Sequence, residues 1–273
     1  MVDRYAVLGN PVKHSKSPAI HRFFALQTDQ DIAYTAIQVP LDGFNAAVTK
    51  FCEEGGRGFN VTVPFKQQAF ERMDECSERA ALAGAVNTVV VRKDGTLYGD
   101  NTDGVGLVRD ILNNHEGRLI DKRILLLGAG GAVRGVLGFL LQQKPLEIVI
   151  ANRTVEKAEE LATHFSPYGR VSGCAYSQLG TKPFDWIING TSASLQGDLP
   201  PLHDGLVSRD TWCYDMMYGK ETTVFNQWAE QRGAARAIDG LGMLVEQAAE
   251  AFRIWRDVLP LTAPVTMELR SSM

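Results

Sequence analysis

No apolar run in the 273-residue chain approaches the roughly 20 residues that cross a bilayer, so a helical membrane span is excluded. The opening Met1-Val-Asp-Arg-Tyr5 lacks a signal-peptide apolar region and leads directly into strand-like sequence. Cysteine is scarce. Cys52, Cys76, Cys174 and Cys213 stand apart with no C-x-x-C pair, which suits reduced thiols better than a disulfide framework or a zinc site. No metal is therefore expected, and the cytoplasm is the expected compartment. An excess of charge is lacking too. The net charge is −4, which argues against nucleic acid or an anionic membrane as partner. Any bound anion has to be recognised locally. There is no internal repeat and no low-complexity stretch.

What is present is an ordinary globular composition, 45% hydrophobic and 22% charged, in a chain long enough for one large or two ordinary domains. In the first hundred residues, strand-like runs (5–9, 32–39, 58–63) alternate with helical stretches (from Ser17, then 43–54, 65–73 and 77–84). Ser17 followed by Pro18 reads as a helix N-cap and first helical position. Residues 86–91 and 97–98 read as a hairpin around Lys93-Asp94-Gly95. A helix is expected over 103–113. Beyond it, strands at 124–127, 148–151, 186–188, 212–215 and 235–238 interleave with helices, as in a parallel, doubly wound α/β sheet. A last long helix, about 241–258, carries the stripe Leu241, Leu244, Val245, Ala248, Phe252 and Trp255 and meets Pro260. The expected architecture is α/β with two lobes. Residues 1–103 plus 240–273 form an N-terminal α/β substrate domain, to which the C-terminal helix returns. Residues 104–239 form a Rossmann-type dinucleotide-binding domain.

Within that second lobe, Ile124 to Leu127 run into the turn Gly128-Ala129-Gly130-Gly131-Ala132, and a helical face of Val133, Val136, Leu137, Leu140 and Leu141 follows. Strand, glycine turn and helix bring backbone N–H groups and a positive helix end to a pyrophosphate. The turn is one glycine short of G-x-G-x-x-G, with Val133 in the third position, so a plain tight turn is the competing reading. The next strand ends in Asn152-Arg153-Thr154, with Lys157 one helical turn on and no carboxylate for a ribose 2′-hydroxyl. A guanidinium and a hydroxyl suit a 2′-phosphate, which favours NADP over NAD. Thr154 as a helix cap and Arg153 as a solvated charge are the plainer alternatives.

Hydride exchange with a carbonyl needs a proton donor and acceptor at the oxygen. Lys66, after Asn60-Val-Thr-Val-Pro-Phe65, and Asp103, in Gly99-Asp-Asn-Thr-Asp-Gly104, are the candidates for that catalytic pair. A snorkelling lysine and a capping aspartate are the alternatives. Ser15, Ser17, Thr62 and Asn87 add short polar side chains able to bind a polyhydroxylated carboxylic acid, although Ser17 also reads as a cap and Asn87 as a turn residue.

The blocks 9–21, 60–66, 80–88, 99–104, 128–132, 152–154 and 239–248 resemble, in order and over nearly the whole chain, the shikimate dehydrogenase family. The resemblance implies NADPH-dependent reduction of 3-dehydroshikimate to shikimate, on the route to chorismate and the aromatic amino acids. It implies that Ser15 and Ser17 bind the substrate carboxylate, that Thr62, Asn87 and Gln247 hold carboxylate or ring hydroxyls, and that Tyr218 touches substrate. Lys66 would pass the proton at the C3 oxygen with Asp103 positioning it. Met216 and Gly240 would lie near the nicotinamide, and Asn152, Arg153, Thr154 and Lys157 at the adenosine phosphate. Asn60 would support the pocket, and Glu78 is a further candidate. The expected partners are small molecules only, with the protein a monomer or homodimer. Two rivals remain at this point, an NAD-using quinate/shikimate dehydrogenase and a non-catalytic dinucleotide-sensing regulator.

Overall fold

The structure, a computed structural model, describes residues 2–191, 193 and 197–273. The chain divides into two compact units, one of Met1–Gly106 with Leu244–Leu269, the other of Leu107–Met243 with Arg270–Met273. Among the described residues each unit is built on a six-stranded sheet.

In the first unit, β1 (Asp3–Gly9) lies between β2 (Ile32–Gln38) and β3 (Gly56–Val61), all parallel. Next come β5 (Thr88–Val91) and β6 (Leu97–Asp100), antiparallel, with the short β4 (Glu75–Cys76) at the far edge. Strand side chains alternate between faces, and the two faces bury different things. Ala6, Leu8, Phe59, Val61 and Val89 pack against α2 (Phe44–Glu53) and α3 (Lys66–Arg72) through Phe44, Val48, Phe51 and Ala69. On the other face Tyr5 meets Trp255 at 4.6 Å between ring centroids, and His21 stacks on Tyr34 at 4.2 Å. His21 comes from α1 (Ser17–Thr28) and Trp255 from α9 (Leu241–Arg256), whose Phe252 also packs on Phe24. From Leu244 onward α9 thus belongs to the first unit and packs its stripe there, as the stripe's width required. Asn60 and Thr88 sit on this second face, directly opposite each other across β3 and β5.

The strands of the second unit are β7 (Arg123–Leu127), β8 (Glu147–Ala151), β9 (Val171–Cys174), β10 (Trp186–Asn189), β11 (Trp212–Asp215) and β12 (Arg236–Ile238). All are parallel, in the order β12-β11-β10-β7-β8-β9. The order reverses between β7 and β10, the switch point at which such sheets bind ligands beyond the strand ends. Ile124 to Leu127, Trp186 to Ile188, Ile148 and Ile150 are buried, the near-continuous apolar runs of a sheet covered on both faces. The helices are α6 (Gly131–Gln142), α7 (Val155–Phe165) and α8 (Val224–Gln231).

Several element boundaries differ from expectation for local reasons. α1 begins at Ser17 itself, with Lys16 in the cap position and the Ser15 hydroxyl accepting from the Ser17 amide at 3.3 Å; Ser17 is therefore not the N-cap. The helix expected over 103–113 is α5 (Asp103–Arg109) followed by a π-helical turn, Asp110–Asn114. There the buried Asp110 accepts from Tyr214 Oη at 2.6 Å and from Asn114 at 2.7 Å. α9 stops at Arg256, short of Pro260, because Asp257 turns left-handed at φ 56° and donates its amide to Arg253. β9 and the C-terminal α10 (Ala263–Ser271) were not anticipated. β9 contains Gly173, pressed against the α7 backbone at Ala158, and α10 buries only Val265 and Leu269 among its apolar residues.

Candidate active site

Lys66 opens α3 just after Pro64-Phe65, and Asp103 opens α5 just after β6. Their side chains are 15% and 7% exposed, and Lys66 Nζ donates to Asp103 Oδ2 at 2.5 Å. Lys66 is therefore no snorkelling surface lysine. Nor does Asp103 spend its carboxylate on its own helix: Oδ1 accepts from Asn87 Nδ2 at 2.8 Å, and the Asp103 amide is capped by Asn101 Oδ1 at 3.1 Å. Asn87 is buried rather than in an exposed turn. Its Nδ2 also faces Thr102 Oγ1 (3.1 Å) and Gln247 Oε1 (3.3 Å). Its Oδ1 accepts from the Thr102 amide at 2.9 Å and from Thr88 Oγ1 at 2.9 Å. An ion pair out of bulk water, one partner held at both oxygens, can hold an ammonium in a fixed place and exchange its proton with a ligand oxygen.

Of the other substrate candidates, Gln247 on α9 joins this group directly, through Asn87 and Thr102. Ser15, Ser17 and Thr62 belong to the same unit without joining that cluster by direct side-chain bonds. Ser17 is buried and its side chain reaches the Tyr34 phenol, which donates to Asn60 Oδ1 at 2.7 Å. Thr62, half-buried, packs its methyl against Gly9, where a side chain would collide with it. Glu78 is exposed at the first position of α4 (Glu78–Ala83). Thr88, Thr102 and Tyr34 were not singled out from sequence. The adjacent Asn87-Thr88 and Thr102-Asp103 were the only signal, since a threonine in a strand or before a helix is ordinarily structural.

In the second unit the chain leaves β7 through Gly128, at φ +100°, a backbone conformation that favours glycine. Gly130 takes the cap position of α6 and Gly131 its first turn, so no side chain caps the helix. Val133, in the third glycine position, is fully buried and still fits, because the neighbour it meets is Gly190, just past β10. A Cβ at Gly190 would stand 2.5 Å from Val133 Cγ2, so the missing glycine has moved from the helix to the facing strand end. Ala129 is buried beside the turn and Ala132 half-buried in the first helical turn. At the end of β8, Asn152 Nδ2 holds the Thr154 carbonyl at 2.8 Å, while Arg153, Thr154 and Lys157 are exposed. Thr154 occupies the α7 cap position without a capping bond, so its hydroxyl is not used there. The partly buried Tyr176 feels the Arg153 charge, and burial pushes its phenol up to about 12. Met216 is buried just after β11, and Gly240 lies so close to the Met216 carbonyl that no side chain fits. Tyr218 is half-buried, its phenol pushed upward by burial and by Asp239.

Three family models match: a shikimate dehydrogenase substrate binding domain over residues 7–89, shikimate/quinate 5-dehydrogenase over 109–196, and a shikimate 5′-dehydrogenase C-terminal domain over 240–270. The shikimate dehydrogenase (NADP(+)) of Hahella chejuensis is 59% identical over 269 residues, covering 98% of this chain and 99% of that one. That of Nitrosococcus oceani is 54% identical over 273 residues, covering 100% and 97%. This chain belongs to the shikimate dehydrogenase family. The shikimate 5-dehydrogenase of Thermus thermophilus, solved with NADP(H) and shikimate, matches with a TM-score of 0.86 at 33% identity, covering each chain in full (100%). As a shikimate dehydrogenase the protein is an NADP-dependent oxidoreductase of aromatic amino-acid biosynthesis, catalysing the reversible NADPH-linked reduction of 3-dehydroshikimate to shikimate. Its residues fit that cofactor. The α6 end is uncapped, Arg134 in its first turns has a buried Nε with no hydrogen-bond partner among the described residues, and the β8 end presents a guanidinium and no carboxylate. Among the described residues no cluster fits a metal ion, and no helix is long and apolar enough to cross a membrane.

Proposed function

We propose that Lys66 is the general acid–base of the reaction and that Asp103 holds it in place. NADPH, when bound, supplies the hydride. In the reducing direction the Lys66 ammonium gives a proton to the C3 oxygen as that oxygen gains charge, and in the oxidising direction the neutral amine takes it back. The observation that carries this reading is the 2.5 Å Lys66–Asp103 pair, with the second Asp103 oxygen held by buried Asn87. Ser15 and Ser17 are assigned to the substrate carboxylate. Thr62, Asn87, Gln247 and Tyr218 are assigned to carboxylate or ring hydroxyls, with Asn60 supporting them. These groups are neutral, so they give direction rather than a strong field.

Gly128, Ala129, Gly130, Gly131 and Ala132 are assigned to the pyrophosphate. Asn152, Arg153, Thr154 and Lys157 take the 2′-phosphate end, and Met216 and Gly240 the nicotinamide end. Residues 1–103 with 240–273 are read as the substrate domain and 104–239 as the NADP domain. The enzyme is placed in the cytoplasm, as a monomer or homodimer acting on small molecules alone; light scattering on the purified protein decides between the two states.

Lys66→Ala is expected to lower kcat with 3-dehydroshikimate and NADPH by roughly 10²- to 10⁴-fold, with a smaller change in KM. A kcat close to that of the wild type would remove Lys66 from the role. NADH and quinate run as controls in the same assay test the assignment of cofactor and substrate against a quinate-oxidising relative.

A further inference from the structure

The Lys66–Asp103 pair is the end of a longer chain of hydrogen bonds, and its direction is fixed at both ends. Asp103 accepts. At the far end the Tyr34 phenol donates to Asn60 Oδ1 at 2.7 Å, and burial keeps that phenol protonated by pushing its pKa well above 10. Asn60 Nδ2 therefore faces β5, where it donates to Thr88 Oγ1 at 3.1 Å and to the Asn87 carbonyl at 3.0 Å. Thr88 Oγ1, having accepted that bond, has one proton to give; Asn87 Oδ1 at 2.9 Å is the nearer acceptor, and the Thr102 hydroxyl at 3.3 Å can donate to Thr88 in turn. Asn87 Oδ1 also receives the Thr102 amide, which can only donate, so Nδ2 points to Asp103. Each donor in the series points toward the catalytic carboxylate.

We propose that Thr88 is a positioning residue for this reaction: its hydroxyl couples the sheet to Asn87 and thereby keeps Asp103 aimed at Lys66. The inference rests on the Lys66–Asp103 reading above. Thr88 is fully buried, and no role in substrate or cofactor binding has been given to it. It lies on β5, opposite Asn60 on β3 and Asp100 on β6, so its Cα is fixed by strand pairing on both sides. Lys66 and Asp103, by contrast, are the first residues of their helices, where the backbone holds a side chain less firmly. A site on a helix end needs such anchorage, because small misplacements of a catalytic group cost large factors in rate.

Thr88→Val keeps the shape and removes only the hydroxyl. Asn60 Nδ2 retains the Asn87 carbonyl and Asn87 Oδ1 retains Thr102, so the fold has no reason to fail. The expected result is a fall in kcat of about 10- to 100-fold with an unchanged KM for NADPH and a displaced pH profile of kcat. Thr88→Ser, which restores the donor, should recover kcat to within about threefold of the wild type. Thr88→Val with undiminished kcat, a Thr88→Ser as impaired as Thr88→Val, or a loss confined to KM would each overturn the proposal. Lys66→Met in the same series separates the two levels. If Lys66→Met is unimpaired, the acid–base assignment falls and the Thr88 role with it. If Lys66→Met is impaired and Thr88→Val is not, only the Thr88 role falls.

Discussion

At the scale of single residues, His21 shows how burial sets chemistry. It is fully buried between Tyr34 and Trp255, neither ring nitrogen makes a hydrogen bond of ordinary geometry, and Asn60 is its polar neighbour. Burial pushes its pKa from 6.5 down to about 3. The unfolded chain binds a proton below pH 6.5 that the native state refuses. Stability is therefore whole above that pH and falls by about 1.4 kcal/mol per pH unit until about pH 3. Urea unfolding of the wild type between pH 7.5 and 5 should show this slope, in a range where most carboxylates stay ionised, and His21→Phe should flatten it. Equal slopes for the two proteins would mean that the imidazole takes its proton in place. The same scale shows what sequence could and could not reveal. Lys66 and Asp103 could be named as candidates from their places after strand-like runs, but a snorkelling lysine and a capping aspartate fitted the same residues, and it was the family resemblance that tipped the reading toward chemistry. Ser17 was misjudged as a cap, whereas Thr154 does hold the cap position of α7; only the hydrogen bonds show that neither hydroxyl caps its helix.

At the scale of elements, α9 is tied to the first sheet by charge as well as by its apolar stripe. Arg79 on α4 donates to both oxygens of Asp100, at 2.5 and 2.7 Å, and reaches Glu250 on α9 at 3.3 Å. Asp100 and Glu250 are almost fully buried, so their negative charges need that guanidinium. Arg79→Met is expected to destabilise the protein by roughly 3 kcal/mol, lowering the calorimetric midpoint by about 10 °C. An unchanged midpoint would mean that Ser77 and Arg253 suffice for the two carboxylates. The stripe that brings α9 back was plain in sequence. The ionic tie was not, because Arg79 and Glu250 stand 171 residues apart and neither belongs to a motif.

At the scale of the whole molecule, the alternation of apolar runs and helical faces was enough for two α/β units and a parallel second sheet. What it could not supply were elements stabilised by partners rather than by their own pattern. β4 is two residues long, β9 has a glycine where a strand normally carries an apolar side chain, and α10 buries little. The candidate site divides in the same way. Motif residues could be named in order along the chain, but the hydrogen bonds joining Asn60, Thr88, Asn87 and Asp103 depend on the register of β3, β5 and β6.

The uncapped start of α6 has a thermodynamic corollary. A helix whose first amides have no side-chain acceptor gains more from an anion than one that is already capped. NADPH should therefore act as a folding ligand for this protein, adding about 2.7 kcal/mol at a hundred times its dissociation constant. Differential scanning calorimetry should show a larger upward shift with NADPH than with the same concentration of NADH. In Arg153→Ala that difference should shrink while the shift common to both nucleotides remains. If the variant loses both shifts alike, the guanidinium supports the fold of the β8 end rather than reading the extra phosphate. The same saturation means that the cell's supply of reduced nucleotide would govern how long a molecule of this enzyme survives unfolding and proteolysis, and not only how fast it turns over.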